Sequence, residues 1–101
     1  MARVYKYPIA GKIMLPKGAK ILTVCSKADG NFLYAQVPDN EQETEPHYFL
    51  VVPTGPSFDD TGCTYIGSYI EGDFFIYHVY EVDAQKVLGG GGLNGQGSRN
   101  Q

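Results

Sequence analysis

The amino-acid sequence predicts an all-β protein, a compact small barrel or two-sheet sandwich of about seven short antiparallel strands. Three observations carry this reading. Eight Tyr, five Phe and a Val/Ile/Thr-rich centre, with no Trp, favour strands, because branched and aromatic side chains pack well on a pleated surface. Apolar residues recur with period two or in short runs, and no segment has helical periodicity. Between these runs lie Gly, Pro, Asn and Asp clusters of the kind that make turns.

In order, the runs are Arg3 to Tyr7, Lys12 to Leu15, Lys20 to Cys25, Asn31 to Val37, His47 to Val52, Cys63 to Ile70 and Phe74 to Val82. Asp29-Gly30 and Gly72-Asp73 are the sharpest hairpin signals, since a two-residue turn needs positive φ and Gly supplies it without steric cost. They pair the third run with the fourth and the sixth with the seventh. In the seventh run Phe74, Ile76, His78, Tyr80 and Val82 alternate with Phe75, Tyr77, Val79 and Glu81. Both faces carry large apolar groups, so this strand is expected to be either central and covered on two sides or a barrel wall with a partner outside. The fifth run, with Tyr48, Leu50 and Val52 opposed to Phe49 and Val51, is expected to be central too. It ends in a corner at Pro53-Thr54-Gly55-Pro56, where a proline cannot donate to a ladder.

At 101 residues the chain is expected to hold one domain, residues 1–87, followed by a flexible Gly-rich tail over residues 88–101. A phosphate-cradling loop in that tail would need a helix after it, and none is indicated. No apolar run approaches the roughly 20 residues that span a bilayer, and the first residues lack the apolar stretch of a signal peptide. The expectation is an intracellular protein that does not engage a membrane. Cys25 and Cys63 are expected to be free, mostly buried thiols. With His47 and His78 they match no common zinc spacing, so neither metal nor cofactor is expected.

Charge is unevenly placed. Arg3, Lys6, Lys12, Lys17, Lys20 and Lys27 precede all eleven Asp and Glu, and no Lys or Arg falls between residues 28 and 85. Either basic strands lie beside acidic ones and neutralise them locally, or the molecule has a basic and an acidic side that attract different partners. A pI near 5.2 opposes binding to duplex nucleic acid. The acidic stretch from Pro38 to Pro46 reads as a solvated connection, or as a surface for a basic protein patch.

For chemistry, the candidates are His47 or His78 with the adjacent carboxylates Asp59 and Asp60, which would serve a small hydrolase or a metal-dependent enzyme if they converge. As turn formers the two aspartates need no such role. The tyrosines favour binding. Eight of them cannot all be buried with satisfied hydroxyls in so small a core, and exposed aromatics beside lysines suit a protein or a stacked ring. The candidate ligand-binding residues are Thr54, Gly55, Tyr77 and His78, with Lys12, Lys17 and Lys20 as anion contacts.

The segments Val4-Tyr5-Lys6-Tyr7-Pro8, Leu15-Pro16-Lys17-Gly18-Ala19-Lys20-Ile21-Leu22, Tyr48-Phe49-Leu50-Val51-Val52-Pro53-Thr54-Gly55 and Tyr77-His78-Val79-Tyr80-Glu81 resemble, in order and spacing, a family of small proteins of unassigned function found widely in bacteriophages and prophages. That family's fifth strand ends in a Gly-Thr-Gly-His turn, and here Pro53-Thr54-Gly55-Pro56 stands in its place. The resemblance implies a phage accessory protein acting in the cytoplasm of the infected cell and supplies no catalytic residue. With the tyrosines and the split charge, it leads to the expectation of a non-enzymatic binding protein that sequesters a host protein or a small anionic, nucleotide-like defence signal. A hydrolase and a minor, homo-oligomeric virion component are the alternatives.

Overall fold

The computed structural model describes residues 1–88, so the expected tail lies, but for Leu88, outside the described residues. Within them the order is β1 (Ala2–Pro8), β2 (Lys12–Pro16), β3 (Lys20–Lys27), β4 (Gly30–Pro38), β5 (Thr44–Pro53), β6 (Cys63–Glu71), β7 (Phe75–Val82) and a short helix α1 (Ala84–Leu88). The strands form a three-stranded sheet, β1-β4-β3, and a four-stranded sheet, β2-β5-β7-β6, antiparallel throughout. The all-β expectation holds in its sandwich form, with β4, β5 and β7 as the interior strands.

Both predicted hairpins are present, with turn residues other than those expected: Lys27 pairs with Gly30 across Ala28-Asp29, and Glu71 with Phe75 across Gly72-Asp73-Phe74. The turn at Gly72 has φ of 62°, a conformation that costs glycine little. β5 begins at Thr44, earlier than predicted, because its first residues pair with β2 before β7 joins at Tyr48 opposite Val82. Pro46 thus sits where the strand has one neighbour only, the position in a sheet that tolerates proline.

The core lies between the inner faces. Leu15 of β2, Leu33 and Ala35 of β4 and Val79 of β7 are fully buried, and Ile13, Val24, Val37 and Phe49 pack with them. Two bulges shape the contact, at Leu22 in β3 and Ile66 in β6, where the registers shift. An extra residue on one strand increases local twist, and Ile66 packs against the core from this position. The next residue, Gly67, lies against β3 so closely that a Cβ there would come within 3.2 Å of the Val24 nitrogen.

Three expectations are corrected. Ala84–Leu88 is helical although no helix was expected: Asp83 accepts hydrogen bonds from Gln85 N at its carboxylate and from Lys86 N at its carbonyl, capping a turn too short to show 3.6-residue periodicity. Phe74 belongs to the turn and β7 starts at Phe75. Cys25 is exposed, because it lies opposite Phe32 on the outward face of the three-stranded sheet; both cysteines are free.

Candidate functional site

Residues directly opposite each other in antiparallel strands share a face. Across the four-stranded sheet, Val52, His78 and Ser68 make one outward row and Leu50, Tyr80 and Tyr65 the next. Phe58, from the loop after β5, folds back so that its ring centroid is 5.3 Å from that of Tyr80, and Tyr65 meets Tyr80 edge-on at 5.5 Å. Sequence patterning placed the aromatics on strands. It could not show that the loop returns to the sheet.

His78 is the polar centre of this face. Its Nε2 lies 2.8 Å from Thr54 Oγ1 and its Nδ1 2.8 Å from Ser68 Oγ, which in turn is 2.6 Å from the Tyr65 hydroxyl. Thr54 Oγ1 also donates to the Ile76 carbonyl at 3.1 Å, tying the Pro53 corner to β7. The sequence candidates Thr54 and His78 therefore meet, while Ser68 and Tyr65, which complete the row, were not singled out. A Ser ten residues before a strand His becomes visible only once the β6–β7 register is known.

Beyond this row the β6–β7 hairpin ends in uncovered apolar side chains. Phe74 and Phe75 are 84% and 64% exposed, and Ile70 and Ile76, paired across the hairpin, are both 46% exposed. A hollow of about 290 Å³ at the base of the tip is lined by Pro53, Thr54, Phe74, Phe75, Ile76 and Tyr77. Glu71 and Asp73 bracket the turn. At this end of the hairpin the last strand is not covered on both faces within the chain, although Ile70 N still donates to Ser26 Oγ of β3 at 3.3 Å.

The remaining candidates lie apart from the His78 row. Tyr77 is on the inward face, stacked on Tyr69 at 5.5 Å, where burial raises the Tyr69 hydroxyl pKa. Gly55 is exposed with φ of 120° and serves the corner. Lys12 shares the outward face of the four-stranded sheet with Tyr48, whereas Lys20 shares the outward face of the other sheet with Gln36. Two layers roughly 10 Å apart separate those faces, and Lys17 is 3.7 Å from Glu43, so the three lysines form no common anion site. Arg3 with Asp39 and Lys6 with Asp29 pair in the same way, which is the local neutralisation weighed for the charge split.

Nor do the histidines meet the predicted aspartates. His47 Nδ1–H donates to Glu81 Oε2 at 2.8 Å, with Glu45 Oε2 3.7 Å from its Nε2, an atom that is buried without a hydrogen-bond partner. These groups line a cleft of about 460 Å³ with Cys63, Thr64 and Asp83. Asp59 instead accepts from the Thr61 N–H at 3.0 Å. That bond, the Thr61 side chain and then the charge of Lys86 hold the Asp59 carboxyl below the ordinary range. Asp59 and Asp60 are turn formers, Asp60 through its carbonyl to Cys63 N. Among the described residues, no three His, Cys, Asp or Glu side chains are placed to hold a metal ion. No described helix is long and apolar enough to cross a membrane.

One protein-family model, described as a domain of unknown function, matches residues 1–89. No curated protein and no solved structure matches the chain.

Proposed function

This chain belongs to that family, the domain of unknown function DUF7352, and from there we propose that it is a non-enzymatic binding protein whose contact surface is the β6–β7 hairpin tip with the aromatic outer face behind it. One observation carries the reading: at the end of the hairpin Phe74 in the turn, Phe75 on one face and Ile70 with Ile76 on the other all stand uncovered. Full burial of such a side chain is worth about 1.5–3 kcal/mol; Phe74 and Phe75 forgo most of it and Ile70 and Ile76 about half, and clustered exposed apolar groups mark interaction sites.

The charge around the tip selects the partner. Glu71 and Asp73 flank the phenylalanines, and the chain as a whole carries a net charge of −3. A partner with an apolar pocket rimmed by lysines or arginines complements this surface, whereas an anionic lipid or nucleic acid is repelled. A host protein is thus favoured over a small anionic signal, which would need the lysines together. The likeness to bacteriophage and prophage proteins supports an accessory role in the infected cell.

The test is affinity capture from phage-host lysate with crosslinking, comparing the wild-type chain with a Phe74→Ser/Phe75→Ser variant. Losing aromatic anchors costs at least about 2 kcal/mol, roughly 30-fold in affinity, when they are hot spots. A protein crosslinked at the tip and depleted at least that far by the variant supports the reading. Equal capture by both chains, or a crosslink pattern made only of copies of this chain, overturns it.

A further inference from the structure

The hydroxyl row at His78 has a direction, which follows from counting protons. Thr54 Oγ1 spends its single proton on the Ile76 carbonyl at 3.1 Å. At its 2.8 Å contact with His78 Nε2 it therefore accepts, and the ring carries a proton on Nε2. In the neutral imidazole Nδ1 is then a lone pair, and the Ser68 hydroxyl 2.8 Å away donates to it. Ser68 has no second proton, so the Tyr65 phenol, 2.6 Å off, donates to Ser68 Oγ. The order is Tyr65 to Ser68 to His78 to Thr54 to the backbone of β7.

Ser68 thus stands to His78 as a nucleophile stands to its base, with the base held in one tautomer by a third group. The usual orienting carboxylate is replaced by a threonine that is itself fixed by a carbonyl. Ser68 and His78 are half-buried at the outward face, and Thr54 and Tyr65 at either end of the row are exposed.

We propose that Ser68 is an acyl-acceptor site, modified by activated acyl donors of the ester or thioester class. Ser68 Oγ adds to the acyl carbon as its proton passes to His78 Nδ1. The adduct collapses with cleavage of the bond from the acyl carbon to the leaving oxygen or sulfur, which takes the proton back from Nδ1. The products are an ester on Ser68, a free alcohol or thiol, and a neutral His78. Thr54 and Tyr65 are positioning residues, the first setting the tautomer and the second the hydroxyl rotamer. This step needs no binding partner and stands apart from the reading of the hairpin tip.

The full chain is incubated with p-nitrophenyl acetate, and the acetylated residues are mapped by mass spectrometry over time. General-base assistance contributes at least about 100-fold, so Ser68 is acetylated at least about 100-fold faster than Ser26 and Ser57 in the same molecule. In His78→Gln the Ser68 rate falls by a similar factor, while Thr54→Val slows it and Thr54→Ser, which keeps the hydroxyl, restores it. Should Ser68 react no faster than Ser26 and Ser57 in the wild-type chain, the proposal is overturned whatever the variants do to folding.

Discussion

Replacing Gly67 by alanine tests how the two sheets are held together. The new Cβ comes to 3.2 Å from the Val24 nitrogen and 3.3 Å from Val24 Cβ, both closer than ordinary van der Waals contact. Neither atom lies at the end of a flexible side chain, so β3 itself must shift. Overpacking of this kind costs about 1–3 kcal/mol. Against it stands the roughly 0.5–1 kcal/mol that alanine gains over glycine inside a strand. Because backbone has to move, the upper part of the range applies, and the net loss is about 1–2 kcal/mol. For a domain of this size that lowers Tm by roughly 4–16 °C. The assay is thermal unfolding followed by circular dichroism, with Val24→Ala added as a second change. Alanine keeps both crowding atoms, so the double variant is no more stable than Gly67→Ala. A Gly67→Ala protein as stable as the wild type, or one rescued by Val24→Ala, would refute the argument from close backbone approach.

Two further outcomes follow from the same structure. Leu33, fully buried on the inner face of β4, loses about 2–5 kcal/mol on truncation to alanine, measured by urea unfolding with an unchanged m-value. The Asp59 carboxyl, held below its usual range first by Thr61 and then by Lys86, contributes stability that is present above its unfolded pKa of about 3.9 and is lost as pH falls through the lower folded value. Changing Lys86→Met moves the Asp59 titration, followed by NMR, part of the way back up; an unmoved titration assigns the whole effect to the Thr61 hydrogen bonds.

Much of the strand layout can be read in the sequence because it rests on local signals. Period-two runs bounded by Asp29-Gly30 and Gly72-Asp73 dictate the two hairpins, and each turn sets its own register. The helix at Ala84–Leu88 was hidden, being shorter than its own period allows one to detect. At the site, Thr54 and His78 could be named, but not that they touch. Their contact depends on the pairing of β5 with β7, and Ser68 and Tyr65 join only through the pairing of β6 with β7.

By itself, then, the sequence determined the all-β class, the hairpins and the central place of β5 and β7, since side-chain alternation and turn chemistry act between neighbours along the chain. Only the tertiary structure decided between sandwich and barrel. It also sent Lys12 and Lys20 to opposite outward faces, turned both histidines away from Asp59 and Asp60, and left Phe74 and Phe75 uncovered. Those outcomes depend on which strand becomes whose neighbour and on where each sheet ends. Contacts between residues far apart in the chain settle both, and no local pattern encodes them.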